Sequence, residues 1–422
     1  MATYKPRILD KLLEQKLRSI GAVLIEGPKA CGKTTTAKQL AHSSLMLSSA
    51  QTREAVSMTL DMDPKLVLAG EAPRLIDEWQ TVPRIWDEVR AELDERGELG
   101  QFILTGSAVP ADRTEIFHSG TGRFAWLTMR PMSLFESNHS AGVVSLETMF
   151  SGDQKIFAEN ALDLREIASL VCRGGWPQSL HLEDEDAFEY VRSYLEAVVN
   201  VDVSRVDGVR RDPERVMSLL RSCARSIGTQ TSLGQIEKDI ASIEGAAGMK
   251  LFSISSYMKA LKEIFILEDM TAWNPNLRSK TAIRTTSTRY FADPSVAAAA
   301  LRIGPEDLLQ DLKTFGFLFE NLCVRDLRVY ADALRADVFH YRDKTNLECD
   351  AVIHRRDGRF GLIEIKLGGE ENIEHGAKTL KALASKLATQ QPAFLMVLIG
   401  AGPYAYRRDD GVLVVPIGCL RP

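Results

Sequence analysis

Gly27-Pro28-Lys29-Ala30-Cys31-Gly32-Lys33-Thr34 decides the fold of the front half of this 422-residue chain. The octapeptide fits GxxxxGK[ST], follows the apolar run Ala22-Val23-Leu24-Ile25, and opens a helical stretch at 35–41. Strand, glycine-bearing loop and helix in that order are the context in which this pattern cradles phosphate. The glycines let backbone N–H groups turn inward, and the helix N-terminus adds a favourable dipole. Lys33 is placed to neutralise β- and γ-phosphate charge, and the Thr34 hydroxyl to ligate Mg2+. Gly27, Pro28, Lys29, Ala30, Cys31, Gly32 and Thr35 complete the candidate nucleotide cradle.

Outward from the loop, residues 1–135 alternate apolar runs with helical stretches, the pattern of a parallel α/β sheet. The runs predict strands at 22–26, 56–61, 74–76, 101–105 and 124–129. Leu75-Ile76-Asp77-Glu78 is an apolar strand end followed by two carboxylates. That is a Walker B element, with Asp77 for the Mg2+ shell and Glu78 to orient or polarise a water. Phe102-Ile103-Leu104-Thr105-Gly106-Ser107 is a strand ending in polar groups, at the sheet edge that faces ligand. Thr105 is a candidate γ-phosphate sensor; the alternative is that it and Ser107 only make a turn.

The series GPKACGKT (27–34), LIDEWQ (75–80), FILTGS (102–107), GTGRFAWLTMRPMSLFE (120–136) and GGWPQ (174–178) resembles a family of prokaryotic AAA+-type ATPases. In that family a C-terminal domain of unknown function follows the ATPase core, and the similarity runs through nearly the whole chain. The resemblance implies Walker A, Walker B and sensor roles for Lys33, Thr34, Asp77, Glu78 and Thr105. It also makes Arg123 a candidate finger reaching a neighbouring subunit's γ-phosphate, with a structural salt bridge as the alternative. A finger of that kind implies a homo-oligomer. Two departures stand out: Gly-Gly-Trp-Pro-Gln where the family more often has Phe and Glu, and a short Walker B strand.

Residues 155–208 carry helical periodicity without strand runs. Residues 209–290 hold 13 basic and 8 acidic residues, with helices expected at 213–226, 233–243 and 255–263 and apolar or basic strand-like stretches at 264–267 and 283–291. Three short helices and a β-wing resemble a winged helix, which sets its third helix in a DNA groove. On that reading Ser255, Ser256, Lys259 and Lys262 face the duplex, and Arg278, Lys280, Arg284 and Arg289 meet phosphates. The alternative is a lid or protein contact with a solvated basic face.

Behind it, Asp350 and Glu364-Ile365-Lys366 lie on two strands joined by the turn Arg355-Arg356-Asp357-Gly358. Period-two geometry puts Glu364 and Lys366 on one face, within reach of Asp350. Two carboxylates and a lysine converging on a strand end suit divalent-metal phosphodiester hydrolysis; the alternative is a simple edge ion pair. The D…ExK pattern resembles the PD-(D/E)XK nuclease fold, an αβββαβ core. That resemblance adds Glu320, on the preceding helix, to the metal ligands Asp350 and Glu364.

The expected architecture is therefore α/β. A P-loop, AAA+-like parallel-sheet ATPase core occupies 1–150, a helical lid 151–208, a winged helix 209–305, and an α+β PD-(D/E)XK nuclease-like domain 306–422. Net charge is only −5, with −9 in residues 1–208 and +4 in 209–422, which excludes a uniformly basic nucleic-acid coat. Six scattered cysteines, with no CxxC or Cys/His cluster, indicate neither a disulfide framework nor a zinc site. Without a signal peptide or a membrane-length apolar run, the chain is expected to be cytoplasmic. The expected function is a Mg2+-dependent ATPase with ATP as ligand and DNA or a protein as candidate partners. The alternatives are a non-nucleolytic NTPase switch and a P-loop kinase; Asp77-Glu78 and Thr105 argue against the kinase.

Overall fold

The run Ala22-Val23-Leu24-Ile25 is wholly buried and forms β1 (Ala22–Glu26). With it stand β2 (Ser43–Met46), β3 (Arg74–Asp77), β4 (Phe102–Gly106) and β5 (Phe124–Thr128). All pair in parallel, in the order β2-β3-β4-β1-β5. The register sets Thr105 between Ile25 and Asp77, so three central strands end together beside the loop that follows Glu26. The structure, a computed structural model, describes residues 4–107, 119–152, 156–242, 248–275, 286–387 and 391–422.

The strand expected at 56–61 is instead part of the helix Ala50–Met62, whose N-terminus Ser49 caps by accepting from the Thr52 N–H. Val56, Met58 and Leu60 read as an alternating strand. Yet Val56 and Leu60 are buried while Met58 is 69% exposed, so the operative spacing is four, that of a helix. The fifth strand is β2, Ser43-Ser44-Leu45-Met46, a half-buried edge with no apolar run to announce it.

The chain forms two compact units that interleave along the sequence. The first comprises Met1–Pro131, Val198–Arg211 and Tyr257–Ile266; the second comprises Met132–Ala197, Asp212–Ser256 and Leu267–Pro422. In the second, β6 (Val144–Ser145) pairs with the last strand, Leu420–Arg421. The stretch read as purely helical contains β7 (Phe157–Glu159), too short to leave an apolar run. The helices Pro213–Arg225, Leu233–Ala241 and Leu251–Glu263 precede an antiparallel pair, β8 (Leu267–Met270) and β9 (Thr288–Phe291). The strand expected at 264–267 begins only at Leu267, because Phe265 turns through φ 58°. Of the stretch expected at 283–291, only β9 is strand, and 283–285 lie outside the described residues.

The back of the second unit starts with the helix Leu312–Ala333, capped by Asp311, whose carboxylate accepts from Lys313 N and Thr314 N at 3.1 Å each. β10 (Ala336–Arg342), β11 (Glu348–Arg355) and β12 (Phe360–Lys366) follow as an antiparallel meander. The helix Glu370–Lys386 then returns the chain to β13 (Phe394–Ile399), parallel to β12. That helix buries Ala377, Leu380 and Leu383 with Val352, Leu362 and Val397 of the sheet. β14 (Tyr404–Arg407) and β15 (Leu413–Pro416) extend the sheet to seven strands, ordered β10-β11-β12-β13-β15-β14-β7.

Gly174-Gly175-Trp176 serves packing here. A Cβ on Gly175 would stand 2.1 Å from the Met132 carbonyl oxygen. Its N–H donates to Asp293, which also accepts from the buried Arg325, itself bonded to Asp326. Trp176 Nε1 donates to Ser295 Oγ at 3.0 Å. All six cysteines are free and buried. Among the described residues, no helix is long and apolar enough to cross a membrane.

Candidate functional site

The phosphate loop owes its shape to two glycines. Gly27 has φ +149°, and a Cβ there would lie 2.1 Å from the Met129 carbonyl oxygen, so only glycine passes β5 so closely. Gly32, at φ +106°, turns the chain into the helix Lys33–Leu40. The Lys33 ammonium donates to the carbonyls of Gly27 at 2.9 Å and Pro28 at 2.7 Å. Lys29 and Ala30 are exposed at the loop's crown, and Thr35 is exposed on the helix.

Asp77 is the hub. Its Oδ1 accepts from Thr34 Oγ1 and from Thr105 Oγ1, each at 2.6 Å, with Asp77 and Thr105 both buried. Glu78 sits in left-handed backbone, φ 58°, immediately after β3 ends at Asp77. Its Oε2 accepts from Gln80 Nε2 at 2.5 Å and Ser107 Oγ at 3.2 Å. The hydroxyl of Thr34 and the carboxylate of Asp77 are hard oxygen donors in contact, a set that suits Mg2+. Lys33, Thr34, Asp77, Glu78 and Thr105 thus gather at one end of the parallel sheet.

Arg123 is not among them. It lies just before β5, its carbonyl paired with the N–H of Ala22 at the start of β1, and its Nε meets Asp94 Oδ1 at 2.5 Å. It is therefore at the end of the strand opposite this chain's own phosphate loop, in a half-exposed ion pair.

Several residues of the site left no motif. Arg7 is buried; its guanidinium donates to the Cys31 carbonyl at 2.9 Å and the Arg130 carbonyl at 2.7 Å. Tyr4 donates to Asp10 Oδ1 at 2.6 Å and shares a 3.0 Å bond with Thr36 Oγ1; burial, then the Asp10 carboxylate, push its phenol pKa up. Gln80 and Ser107 hold Glu78, and Asp202 pairs with Lys29. Arg7 and Asp202 come from far along the sequence, so no local pattern could have flagged them.

A second cluster stands on β11 and β12. Alternation along β12 puts Glu364 and Lys366 on one face, and Lys366 Nζ lies 2.7 Å from Glu364 Oε2 and 3.3 Å from Asp350 Oδ2. Asp350 Oδ2 also accepts from the Ile365 N–H at 2.7 Å. Burial and then the Asp350 charge push the Glu364 carboxyl up to about 8, against the pull of Lys366. Burial alone would lower the Lys366 pKa, but Asp350 and Glu364 more than offset it and hold it above its ordinary value. Glu320 stands near enough to feel Asp350, Lys366 and Glu364, and its Oε1 accepts from Tyr290 Oη at 2.6 Å. Burial and Asp350 raise its carboxyl well above the usual range. Carboxylates suit Mg2+ in type, yet among the described residues no three His, Cys, Asp or Glu gather closely enough to hold a metal. Lys366, not an acidic triad, joins Asp350 and Glu364, so as they stand Glu320, Asp350 and Glu364 do not form the expected metal set.

Of the expected DNA-facing residues, Ser255 and Lys259 are exposed, and Ser256, Lys262 and Arg289 are half-buried. Lys259 lies 3.9 Å from Glu263. Arg278, Lys280 and Arg284 lie outside the described residues.

Three family models match successive parts of the chain: an AAA domain at residues 19–138, the domain of unknown function DUF8612 at 164–307, and the domain of unknown function DUF4143 at 315–420. No curated protein matches the chain. Among solved structures, AMPPCP-bound DnaA from Aquifex aeolicus is 13% identical, with 62% of this chain and 89% of that one covered, at a TM-score of 0.28. The Aeropyrum pernix ORC2 protein in ADPNP–ADP complexes is 12% identical, covering 72% and 91%, at 0.32. The Aeropyrum pernix ORC1 protein in complex with DNA is 14% identical, covering 72% and 92%, at 0.25. TM-scores this low do not establish a shared overall arrangement. Over residues 19–138, then, the chain is similar to AAA domains in sequence and carries its phosphate loop on a parallel five-stranded sheet.

Proposed function

We propose that this chain is a Mg2+-dependent ATPase whose turnover acts on a C-terminal, nuclease-like module engaging DNA. The observation that carries the ATPase reading is the Asp77 carboxylate, which accepts from both Thr34 and Thr105 beside the Lys33 loop. Lys33 and the loop N–H groups bind the terminal phosphates. Thr34 and Asp77 would hold Mg2+, which when bound neutralises charge on the β- and γ-oxygens. Glu78, held by Gln80 and Ser107, orients the attacking water and accepts its proton. Thr105 keeps the Asp77 carboxylate turned toward Thr34.

For the back half, the order helix, three-stranded meander, helix and parallel strand supports a PD-(D/E)XK-like reading, as does the convergence of Asp350, Glu364 and Lys366. A fold hosts many functions, so the DNA-cleaving role rests on its test. The second reading, a non-nucleolytic switch whose C-terminal module binds DNA or a protein, is favoured by Lys366 being already paired with both Asp350 and Glu364. One experiment addresses both: phosphate release and DNA cleavage in Mg2+ or Mn2+, for wild type, Lys33→Ala, Asp350→Ala and Lys366→Ala. ATP hydrolysis abolished by Lys33→Ala supports the ATPase, and hydrolysis that survives overturns it. Cleavage lost in both C-terminal variants supports the nuclease, and no wild-type cleavage with intact ATP hydrolysis favours the switch.

A further inference from the structure

Lys29 and Asp202 stand 173 residues apart in sequence yet meet within the first unit, Nζ to Oδ1 at 2.5 Å. The Lys29 side chain is 49% exposed and the Asp202 side chain 11%. Lys29 is the third residue of the phosphate loop, so a carboxylate from a distant segment sits against an ammonium that belongs to the phosphate cradle. That carboxylate ends a π-helical turn, Val198–Asp202, an uncommon one-residue widening that recurs at functional sites. The segment is otherwise pinned by burial of Val198, Val199, Val203 and Val206.

Beyond Asp202 the segment is tied to itself. The buried Arg211 guanidinium donates to the Val203 carbonyl at 2.7 Å and to Asp207 at 2.7 and 2.6 Å. It also lies over the Tyr257 ring, 5.6 Å from the centroid. Val198–Arg211 is thus a stiff piece that grips the loop by a carboxylate. Its two ends run on covalently into the helices Asp184–Ala197 and Pro213–Arg225.

We infer that Asp202 is a latch on the phosphate loop that competes with the phosphates of a nucleoside triphosphate for Lys29; this rests on the ATP-binding reading of the loop. A carboxylate beside a polyphosphate repels it and cancels the charge of the lysine that would attract it. Nucleotide therefore draws Lys29 off Asp202, and release of Asp202 loosens the hold of Val198–Arg211 on the loop. Asp202 acts through Lys29 and is a positioning residue.

The test uses the full chain as wild type, Asp202→Asn, Lys29→Met and the double variant. Affinity for a non-hydrolysable ATP analogue is measured by calorimetry, and amide exchange over 198–211 is followed with and without the analogue. Asp202→Asn is expected to bind the analogue about threefold more tightly, the size of a partly exposed ion pair. Lys29→Met binds more weakly and abolishes the effect of Asp202→Asn. In wild type the analogue speeds exchange over 198–211. Without nucleotide, both single variants already exchange faster there, and the double variant no faster than either. Unchanged or weakened binding in Asp202→Asn, or effects that simply add in the double variant, overturns the latch. If wild type binds no analogue, the ATP reading falls and the competition for Lys29 falls with it, whereas analogue binding with no acceleration in either single variant overturns the latch alone.

Discussion

At the phosphate loop, Lys33 donates to two carbonyls and Asp77 accepts from two hydroxyls; on β12, Lys366 lies directly on Asp350 and Glu364. Both places combine lysine with carboxylate near the end of buried strands. In the first, each charge has neutral partners, so the lysine's field stays available to an incoming anion and the carboxylate's to an incoming cation. In the second, the opposite charges answer each other and one carboxylate remains in excess. The difference teaches that residue inventory alone does not identify a working site. What matters is whether the charges are kept apart by neutral hydrogen bonds or joined.

The comparison is tested hardest at the loop. Lys33→Ala is expected to lower ATP turnover at least about 100-fold, the cost of deleting one preorganised charge at the transition state. Glu78→Gln should lower it by about 100-fold or more while keeping nucleotide affinity, as loss of a general base does. Phosphate release and calorimetry read both, and normal turnover in either variant removes the contrast.

Next comes stability. Lys366→Ala leaves Asp350 facing the nearly buried Glu364 without a cation, which should cost about 3 kcal/mol, the low end for a broken buried pair because Lys366 is partly exposed. Lys33→Ala removes only bonds to carbonyls and should cost about 1 kcal/mol. Urea unfolding compares them, and equal losses would erase the distinction.

The pH dependence sharpens the contrast further. The Glu364 carboxyl, ordinarily near 4.5, is raised to about 8 in the folded chain. A raised folded pKa favours the protonated form, so its contribution is full below about pH 4.5 and is lost as pH climbs through about 8. Glu364→Gln should flatten that decline in a series of thermal melts, whereas an unchanged slope would place its cause elsewhere. The smallest effect belongs to Arg123, whose half-exposed pair with Asp94 implies that Arg123→Ala alters stability by about 1 kcal/mol or less.

The phosphate loop was legible because its chemistry is local: eight consecutive residues, with a strand before and a helix after. Glu364 and Lys366 were legible through period two, and Asp350 through the hairpin turn that folds its strand back. The Glu320 bond to Tyr290, thirty residues upstream, was not legible, because no spacing rule links a β9 tyrosine to that helix. The helix Ala50–Met62 was read as a strand because a methionine in the exposed row mimicked alternation. Arg7 and Asp202 escaped because they reach the loop only through the tertiary fold.

The interleaving of the two units also bears on synthesis. The chain crosses between them five times, and the last segment of the first unit ends at Ile266. A domain that emerges whole can fold while the ribosome continues. The phosphate-loop unit cannot be completed that way: its sheet is translated by Thr128, but its last piece ends only at Ile266, about a third of the chain later. Nucleotide reaching a nascent chain shorter than 202 residues would meet a loop without its Asp202 partner.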